Sequence, residues 1–198
     1  MRNPLVIAAI LSVSLAACGP SGEPVPERLP DETTATVPGN VETLAAPDAA
    51  SADDCATLSA DGLCGLRFGM DEGEVRAAYP GEIHGDQPAD SACFFLRPQE
   101  ASYGQLFMMD GGTLERIDIS IPGIATPQGA EVGMMLEAVE GLYEDTERLP
   151  NKYVPDYEDL RVTLGDGLFA VFEQGEGGIV QAYRVGRAPA VDYVEGCA

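Results

Sequence analysis

Tryptophan is absent from this chain of 198 residues, and histidine and lysine occur once each. Basic side chains are scarce altogether, because 33 acidic residues stand against 11 basic ones and the formal net charge is -22. Nucleic acid and anionic lipid headgroups repel such a surface, so we expect neither as a ligand. The hydrophobic share of 45% is nevertheless sufficient for a folded core.

The motifs of common enzymes and metal sites are also missing. A nucleophilic enzyme needs a base beside its nucleophile, but the only histidine, His84, lies in a predicted loop, and no Gly-x-Ser-x-Gly stretch occurs. The chain has no phosphate-binding glycine loop and no Cys-x-x-Cys pair. The acidic stretch 156–159 lacks EF-hand spacing, and the methionine pairs 108–109 and 134–135 are expected in the core. We therefore predict a non-catalytic protein without metal or cofactor.

No apolar run reaches the roughly 20 residues that span a bilayer, but a shorter one lies at the start of the chain. Arg2 precedes the apolar residues 5–17, which end in Leu15-Ala16-Ala17. A charged start, a short apolar stretch and small residues at its end are typical of a secretory signal peptide, which we assign to residues 1–17.

The sequence Leu-Ala-Ala-Cys-Gly at residues 15–19 resembles the lipobox of bacterial lipoproteins. The resemblance implies lipidation of the Cys18 thiol, cleavage before it, and acylation of the new amino terminus with chains such as palmitate. Several acyl chains, at ~0.8 kcal/mol for each buried methylene, would hold the protein in a lipid bilayer. Gly19 rather than aspartate follows, which in Gram-negative lipoproteins implies the outer membrane, with the folded domain in the periplasm or at the cell surface. The alternative is an ordinary signal peptide with a chance cysteine.

The composition divides the remaining chain into two parts. Residues 18–52 are rich in proline, alanine and acidic side chains and poor in large apolar ones, so we predict a disordered tether with a reach on the order of 30 Å. Residues 53–198 are predicted to form the folded domain. It divides into a first repeat at about 62–125, a second at about 126–187 and a C-terminal tail at 188–198.

Four cysteines remain once Cys18 is lipidated, and an even number in an exported chain indicates disulfides. Three pairings are possible. We favour Cys55 with Cys64, across a short turn, and Cys93 with Cys197. The second bond would close a loop of about 105 residues and restrict the unfolded chain by roughly 4.7 kcal/mol in the entropic model.

A tandem repeat dominates the folded part. Residues 65–79 are predicted to form a short strand, a Gly-Met turn and a helix, which Asp71 and Glu74 start as a capping box. Residues 129–143 are a diverged copy in which Met135 takes the capping position. The positions shared by the two copies are Gly65/Gly129, Gly69/Gly133, Met70/Met134, Val75/Val139 and Tyr79/Tyr143.

Three strand candidates follow each helix and are separated by glycine-rich turns. They span 93–97, 105–110, 114–121, 160–164, 168–173 and 179–185. We therefore predict the α+β class, with two tandem repeats of a helix plus a three-stranded antiparallel meander. The repeats would share one sheet, with the helices on one face.

The strand, Gly-Met turn and helix with inward Val and Tyr, followed by a meander and repeated in tandem, resemble two related groups. One is the β-lactamase inhibitor proteins, and the other is the small lipoprotein of the outer-membrane barrel-assembly machinery. The first resemblance implies a possible inhibitor of an exported hydrolase. No contact residue can be transferred, because the contact loops of such inhibitors vary freely.

The most unusual local chemistry is the candidate binding loop at 148–157. Arg148, Lys152, Tyr153 and Tyr157 place two cations and two tyrosines together in a strongly acidic chain. Tyrosine and arginine are enriched at binding hot spots, although local charge balance would explain the same residues. We expect an interaction module for an envelope protein of unknown identity, with a hydrolase inhibitor and a carbohydrate-binding module as alternatives.

Replacing Cys18 with alanine tests the lipoprotein assignment. Because alanine has no thiol to acylate, we expect Cys18→Ala to abolish labelling by a radioactive or clickable fatty acid and to release the protein from membranes. Cys93→Ala, which leaves the lipobox intact, should stay labelled and serves as the control. Persistent labelling of Cys18→Ala would contradict the assignment.

Overall fold

The computed structural model describes residues 55–99 and 104–197. The predicted signal peptide, the lipidation site Cys18 and the tether lie outside the described residues. The described chain contains two short helices and eight strands. The helices are α1 (Glu72–Ala78) and α2 (Leu136–Glu140); the strands are β1 (Ile83–His84), β2 (Cys93–Pro98), β3 (Gln105–Asp110), β4 (Thr113–Ile119), β5 (Thr146–Pro150), β6 (Glu158–Gly165), β7 (Leu168–Gln174) and β8 (Val180–Arg187).

All eight strands belong to one antiparallel sheet in the order β1-β2-β3-β4-β8-β7-β6-β5. This order is a palindrome when β1 to β4 are matched with β5 to β8. At the centre β4 pairs with β8, and Asp118 lies opposite Arg184. Each half of the chain therefore supplies four neighbouring strands, and the two halves meet at this pair.

The packing of the two halves is also related. Tyr79, just after α1, lies with its ring centroid 5.5 Å from that of Phe107 in β3. Tyr143, just after α2, lies 6.0 Å from Phe172 in β7. A tyrosine that follows a helix thus packs on a phenylalanine of the second long strand in each half.

The predicted α+β class with helices on one face is wrong, because the structure is largely β. The helices have only seven and five residues, too few to form a layer over an eight-stranded sheet. Pro80 follows Tyr79, the C-cap of the first helix, and Gly141 caps the second. Neither helix of the described residues is long and apolar enough to cross a membrane.

The start of each helix follows the local sequence. Asp71 caps α1 and accepts a hydrogen bond from the Glu74 N–H at 2.9 Å, while the Glu74 carboxylate accepts one from the Asp71 N–H at 2.9 Å. The predicted capping box is therefore confirmed. Met135 caps α2 without a side-chain hydrogen bond, as expected for an apolar residue at this position.

The six strands predicted after the helices are confirmed within a few residues at each end. The short strand predicted before each helix is wrong, because the described residues there form only isolated bridges, and β1 and β5 were missed. β1 has two residues, and β5 carries alternating charges and ends in Pro150, so neither resembles a buried strand in sequence. His84 lies in β1 rather than in a loop, and its Nε2 is 2.5 Å from the Gln99 Oε1. Met108 and Met109 are buried as expected, but Met135 is 49% exposed.

The hydrophobic core lies against one face of the sheet. Irregular segments of the chain cover most of this face and contribute Leu58, Leu63, Leu66 and Ile124. Each helix adds to this cover, with Val75 from α1 and both Leu136 and Val139 from α2. The Tyr183 hydroxyl donates to the Ile124 carbonyl at 2.9 Å and ties β8 to its cover. Irregular segments thus cover most of the face that the sequence predicts helices to cover.

The C-terminal tail covers the middle of the other face. Arg116 of β4 donates to the carbonyls of Ala190 at 2.8 Å and Tyr193 at 2.7 Å. Arg184 of β8 donates to the Val191 carbonyl at 2.6 Å. Both arginines are about 95% buried, so their charges and the tail carbonyls satisfy one another away from water.

Both favoured disulfides are confirmed. Cys55 is bonded to Cys64 with a sequence separation of 9, and Cys93 is bonded to Cys197 with a separation of 104. The second bond joins the end of the tail to the first residue of β2. The covalent link and the arginine contacts therefore hold the tail on the sheet together.

Gly186 provides a test of the central strand pair. A Cβ at this position would lie 2.5 Å from the Glu115 carbonyl oxygen and 2.9 Å from the Arg116 Cα, both on the neighbouring strand. We therefore expect Gly186→Ala to lower the free energy of unfolding by about 1–3 kcal/mol in urea denaturation.

Gly141→Ala is the matched control. Gly141 has a φ of -66°, and its Cβ would meet no atom closer than 3.5 Å. Here we expect an unchanged or slightly raised free energy of unfolding, by about 0.4–1 kcal/mol. Equal effects of the two substitutions would show that β4 and β8 do not need their close approach.

Candidate interaction surface

The loop at 151–157 connects β5 to β6 and is held in place by Asn151. The Asn151 Oδ1 accepts hydrogen bonds from the backbone N–H groups of Tyr153 and Val154, both at 3.0 Å. Its Nδ2 donates to the Asp159 Oδ1 at 3.0 Å, and its backbone N–H donates to the Tyr157 carbonyl at 3.0 Å. Asparagine favours such turns because its short side chain can reach the following backbone groups. The loop is therefore an ordered turn.

The same loop is bonded to the C-terminal tail. The Lys152 Nζ lies 2.5 Å from the Glu195 Oε1, and the Tyr153 hydroxyl donates to the same oxygen at 3.1 Å. The Lys152 ammonium also lies 5.6 Å from the centroid of the Tyr153 ring. Two segments far apart in sequence thus form one surface.

This surface carries an exposed apolar patch, which we call the loop–tail patch. Its members are Tyr153 (62% exposed) and Val154 (39%) from the loop, and Tyr193 (36%) and Val194 (43%) from the tail. The other large exposed hydrophobic residues of the described chain are Met135, Leu142 and Ile179. An apolar patch of this kind, rimmed by polar groups, is typical of a binding surface.

A small cavity lies behind the loop–tail patch, with a volume of ≈ 160 Å³. Aromatic and aliphatic side chains form part of its wall, and carboxylate and amide groups form the rest. The lining residues are Asn151, Tyr153, Val154, Tyr157, Asp159, Glu173, Gln174, Gln181 and Val194. We call this the Asp159 cavity, because the buried Asp159 carboxylate is its most unusual member.

The ion pair in the surface shifts the pKa of each member. The hydrogen bond from Lys152, followed by that from Tyr153, lowers the pKa of Glu195 below its ordinary value. The hydrogen bond to Glu195 raises the pKa of Lys152. Removal from water, followed by the Glu195 carboxylate, raises the pKa of the Tyr153 phenol. At neutral pH the surface therefore has a lysine paired with a carboxylate and a neutral tyrosine.

The structure brings together three of the four predicted binding residues. Lys152, Tyr153 and Tyr157 all lie in the loop, and the two tyrosines line the Asp159 cavity. Arg148 does not line the cavity. It belongs to β5, and its guanidinium contacts the carboxylates of Glu140 at 2.5 Å and Glu158 at 3.1 Å, which raise its pKa.

Sequence reasoning missed the contribution of the tail. Tyr193, Val194 and Glu195 complete the surface, yet in sequence they follow Lys152 by about 40 residues. A signal was present, because the predicted bond between Cys93 and Cys197 already placed these residues against the sheet. No pattern in the sequence indicated that these tail residues would contact the loop.

Comparisons with protein-family models, with curated proteins and with solved structures found no match. The resemblance to β-lactamase inhibitor proteins and to the barrel-assembly lipoprotein therefore stays a prediction. What this surface does must be argued from its own geometry.

Replacing Glu195 with glutamine tests the electrostatics of the surface. Glutamine cannot supply a negative charge to Lys152, so Glu195→Gln should lower the pKa of the Lys152 ammonium and that of the Tyr153 phenol. NMR titration can follow the ammonium without ambiguity, because Lys152 is the only lysine in the chain. Glu158→Gln, which removes a carboxylate paired with Arg148, is the control and should leave Lys152 unchanged. An unaltered Lys152 pKa in Glu195→Gln would exclude the ion pair in solution.

Proposed function

We propose that this protein is a non-catalytic lipoprotein of the outer membrane that binds an envelope protein through its loop–tail patch. Acylation of Cys18 would anchor it in the lipid bilayer, and residues 18–52 would serve as a tether for the folded domain. The folded domain would then act in the periplasm or at the cell surface. The observation that carries this proposal is that exposed apolar residues of the loop and the tail, Tyr153, Val154 and Val194, lie together around one cavity.

The composition of the patch supports protein binding. Tyrosine is enriched at the centres of protein interfaces because it buries a large rigid ring and keeps a hydroxyl for hydrogen bonding. Tyr153 and Tyr193 present such rings beside two valines. Asn151 fixes the loop before any partner arrives, so little conformational entropy is lost on binding.

The state of the nearby polar groups also favours an apolar contact. Lys152 is paired with Glu195, and the Gln174 Oε1 accepts from the Glu158 N–H at 2.7 Å. A sugar is recognised chiefly by free hydrogen-bonding groups around an aromatic platform, and several such groups here already have partners. Carbohydrate binding and hydrolase inhibition stay predictions from the sequence, and we favour protein docking over both.

A photo-crosslinking residue at Tyr153 tests the proposal in cells that naturally express the protein. Benzoylphenylalanine keeps an aromatic ring at this position, so docking should survive the replacement. We expect ultraviolet light to join the lipoprotein to one envelope protein, identified by mass spectrometry. The crosslink should weaken at least several-fold when Val194 is also replaced with serine.

Leu142 supplies the control position, because it is 39% exposed and lies outside the patch. The same crosslinker at Leu142 should not capture that protein. Identical products from Tyr153 and Leu142, or none from Tyr153, would contradict docking through the loop–tail patch.

A further inference from the structure

We propose that the Asp159 cavity receives the cationic side chain, arginine or lysine, of the protein that docks on the loop–tail patch. The inference rests on the proposed function, because Tyr153, Val154 and Val194 belong to both the patch and the cavity wall. A partner that covers the patch would therefore cover the cavity as well.

The size of the cavity suits one side chain. Its volume of ≈ 160 Å³ is below the range of about 300–1,000 Å³ that is usual for pockets enclosing drug-sized ligands. A single long side chain could enter it while the backbone of the partner stayed outside. An anchor residue of this kind is what commonly sits at the centre of a protein interface.

The Asp159 carboxylate has one oxygen in use and one free. Its Oδ1 accepts from the Asn151 amide at 3.0 Å and from the Gln174 backbone N–H at 3.2 Å. Its Oδ2 has no hydrogen-bond partner among the described residues. It is also not one of their fully buried, unpartnered polar atoms, so it keeps some contact with solvent. Asp159 is only 8% exposed and lines the cavity, which gives a donor from a partner a route to this carboxylate. A nearly buried carboxylate with a free oxygen needs a donor, and a cationic donor suits it best.

The walls suit the rest of a basic side chain. Tyr153 and Tyr157 line the cavity, and tyrosine is a residue type whose ring attracts guanidinium and ammonium groups. Val154 and Val194 offer apolar surface for the methylene stem of arginine or lysine. A cavity with a carboxylate, two aromatic rings and two valines therefore matches both parts of such a residue.

Neighbouring cations already have partners of their own. Lys152 is paired with Glu195, and Arg184 is paired with Glu173 on the cavity wall. Neither supplies a donor to the Asp159 Oδ2. With a formal net charge of -22, the protein also attracts basic segments and repels acidic ones.

Three blocked tripeptides test the proposal on the purified protein at about 0.15 M salt, where long-range attraction is screened. The first is Leu-Arg-Leu, the second contains neutral citrulline in place of arginine, and the third is Gly-Arg-Gly. We expect Leu-Arg-Leu to shift the NMR signals of Tyr153, Tyr157 and Asp159, and to bind about tenfold more tightly than the citrulline peptide. Gly-Arg-Gly should bind more weakly than Leu-Arg-Leu, because it cannot use the apolar patch.

Asp159→Asn tests the carboxylate itself. Asparagine retains an oxygen for the bonds from Asn151 and Gln174 while removing the charge, and we expect about tenfold weaker binding of Leu-Arg-Leu. Glu158→Gln removes one charge from the adjacent residue and should leave the affinity unchanged. If Asp159→Asn does not fold, Tyr153→Leu replaces it, because the loss of the aromatic ring should also weaken binding.

Several outcomes would overturn the inference. They are equal binding of the arginine and citrulline peptides, signal shifts confined to other parts of the surface, or equal loss of affinity in Asp159→Asn and Glu158→Gln. Gly-Arg-Gly binding as tightly as Leu-Arg-Leu would indicate a site for free cations and would refute the assignment to a docking partner.

The two proposals can fail separately. Crosslinking from Tyr153 that survives in Asp159→Asn with undiminished yield would leave protein docking in place and remove the cation from it. Specific arginine-peptide binding without any crosslink in cells would establish the cavity as a cation site and contradict the proposed function.

Discussion

The antiparallel pairing of β4 with β8 joins two four-stranded halves of the chain into one sheet. Each half alone would be small and would leave a long strand edge unpaired, a condition that favours aggregation. Gly186 lets the two central strands approach, because a side chain there would strike the backbone of β4. The rest of the architecture follows from this pair, since an eight-stranded sheet has two broad faces and both must be covered.

The two faces are covered by different physical means. Apolar side chains from irregular segments and two short helices pack on one face. On the other face, Arg116 and Arg184 hold the tail through its backbone carbonyls, and the bond between Cys93 and Cys197 fixes its end. Removal from water raises the pKa of Asp118 between these arginines, although both favour its ionised form. Polar contacts thus position the tail, and the tail in turn completes the candidate interaction surface.

Local sequence patterns predicted much of the fold. The capping box at Asp71 and Glu74 and the alternation in the long strands depend on neighbouring residues, so they can be read directly. β5 was missed because its charged residues and terminal Pro150 are not typical of a strand, although it pairs with β6. The loop of the candidate site was predicted, because its composition is distinctive. The role of the buried Asp159 was not, because nothing in the sequence distinguishes it from the other acidic residues, of which the chain has 33 in total.

The sequence by itself indicated six of the eight strands, the start of each helix, the favoured pairing of four cysteines and the unusual chemistry of the candidate binding loop at 148–157. Apart from the bond between Cys93 and Cys197, those features depend on periodicity, capping and spacing within short segments. Only the tertiary structure decided the palindromic strand order and the largely β class. It also decided that Tyr153, Val194 and Asp159 line the same cavity. These depend on contacts between segments far apart in the chain. Such contacts form because both faces of the sheet must be covered by other parts of the chain.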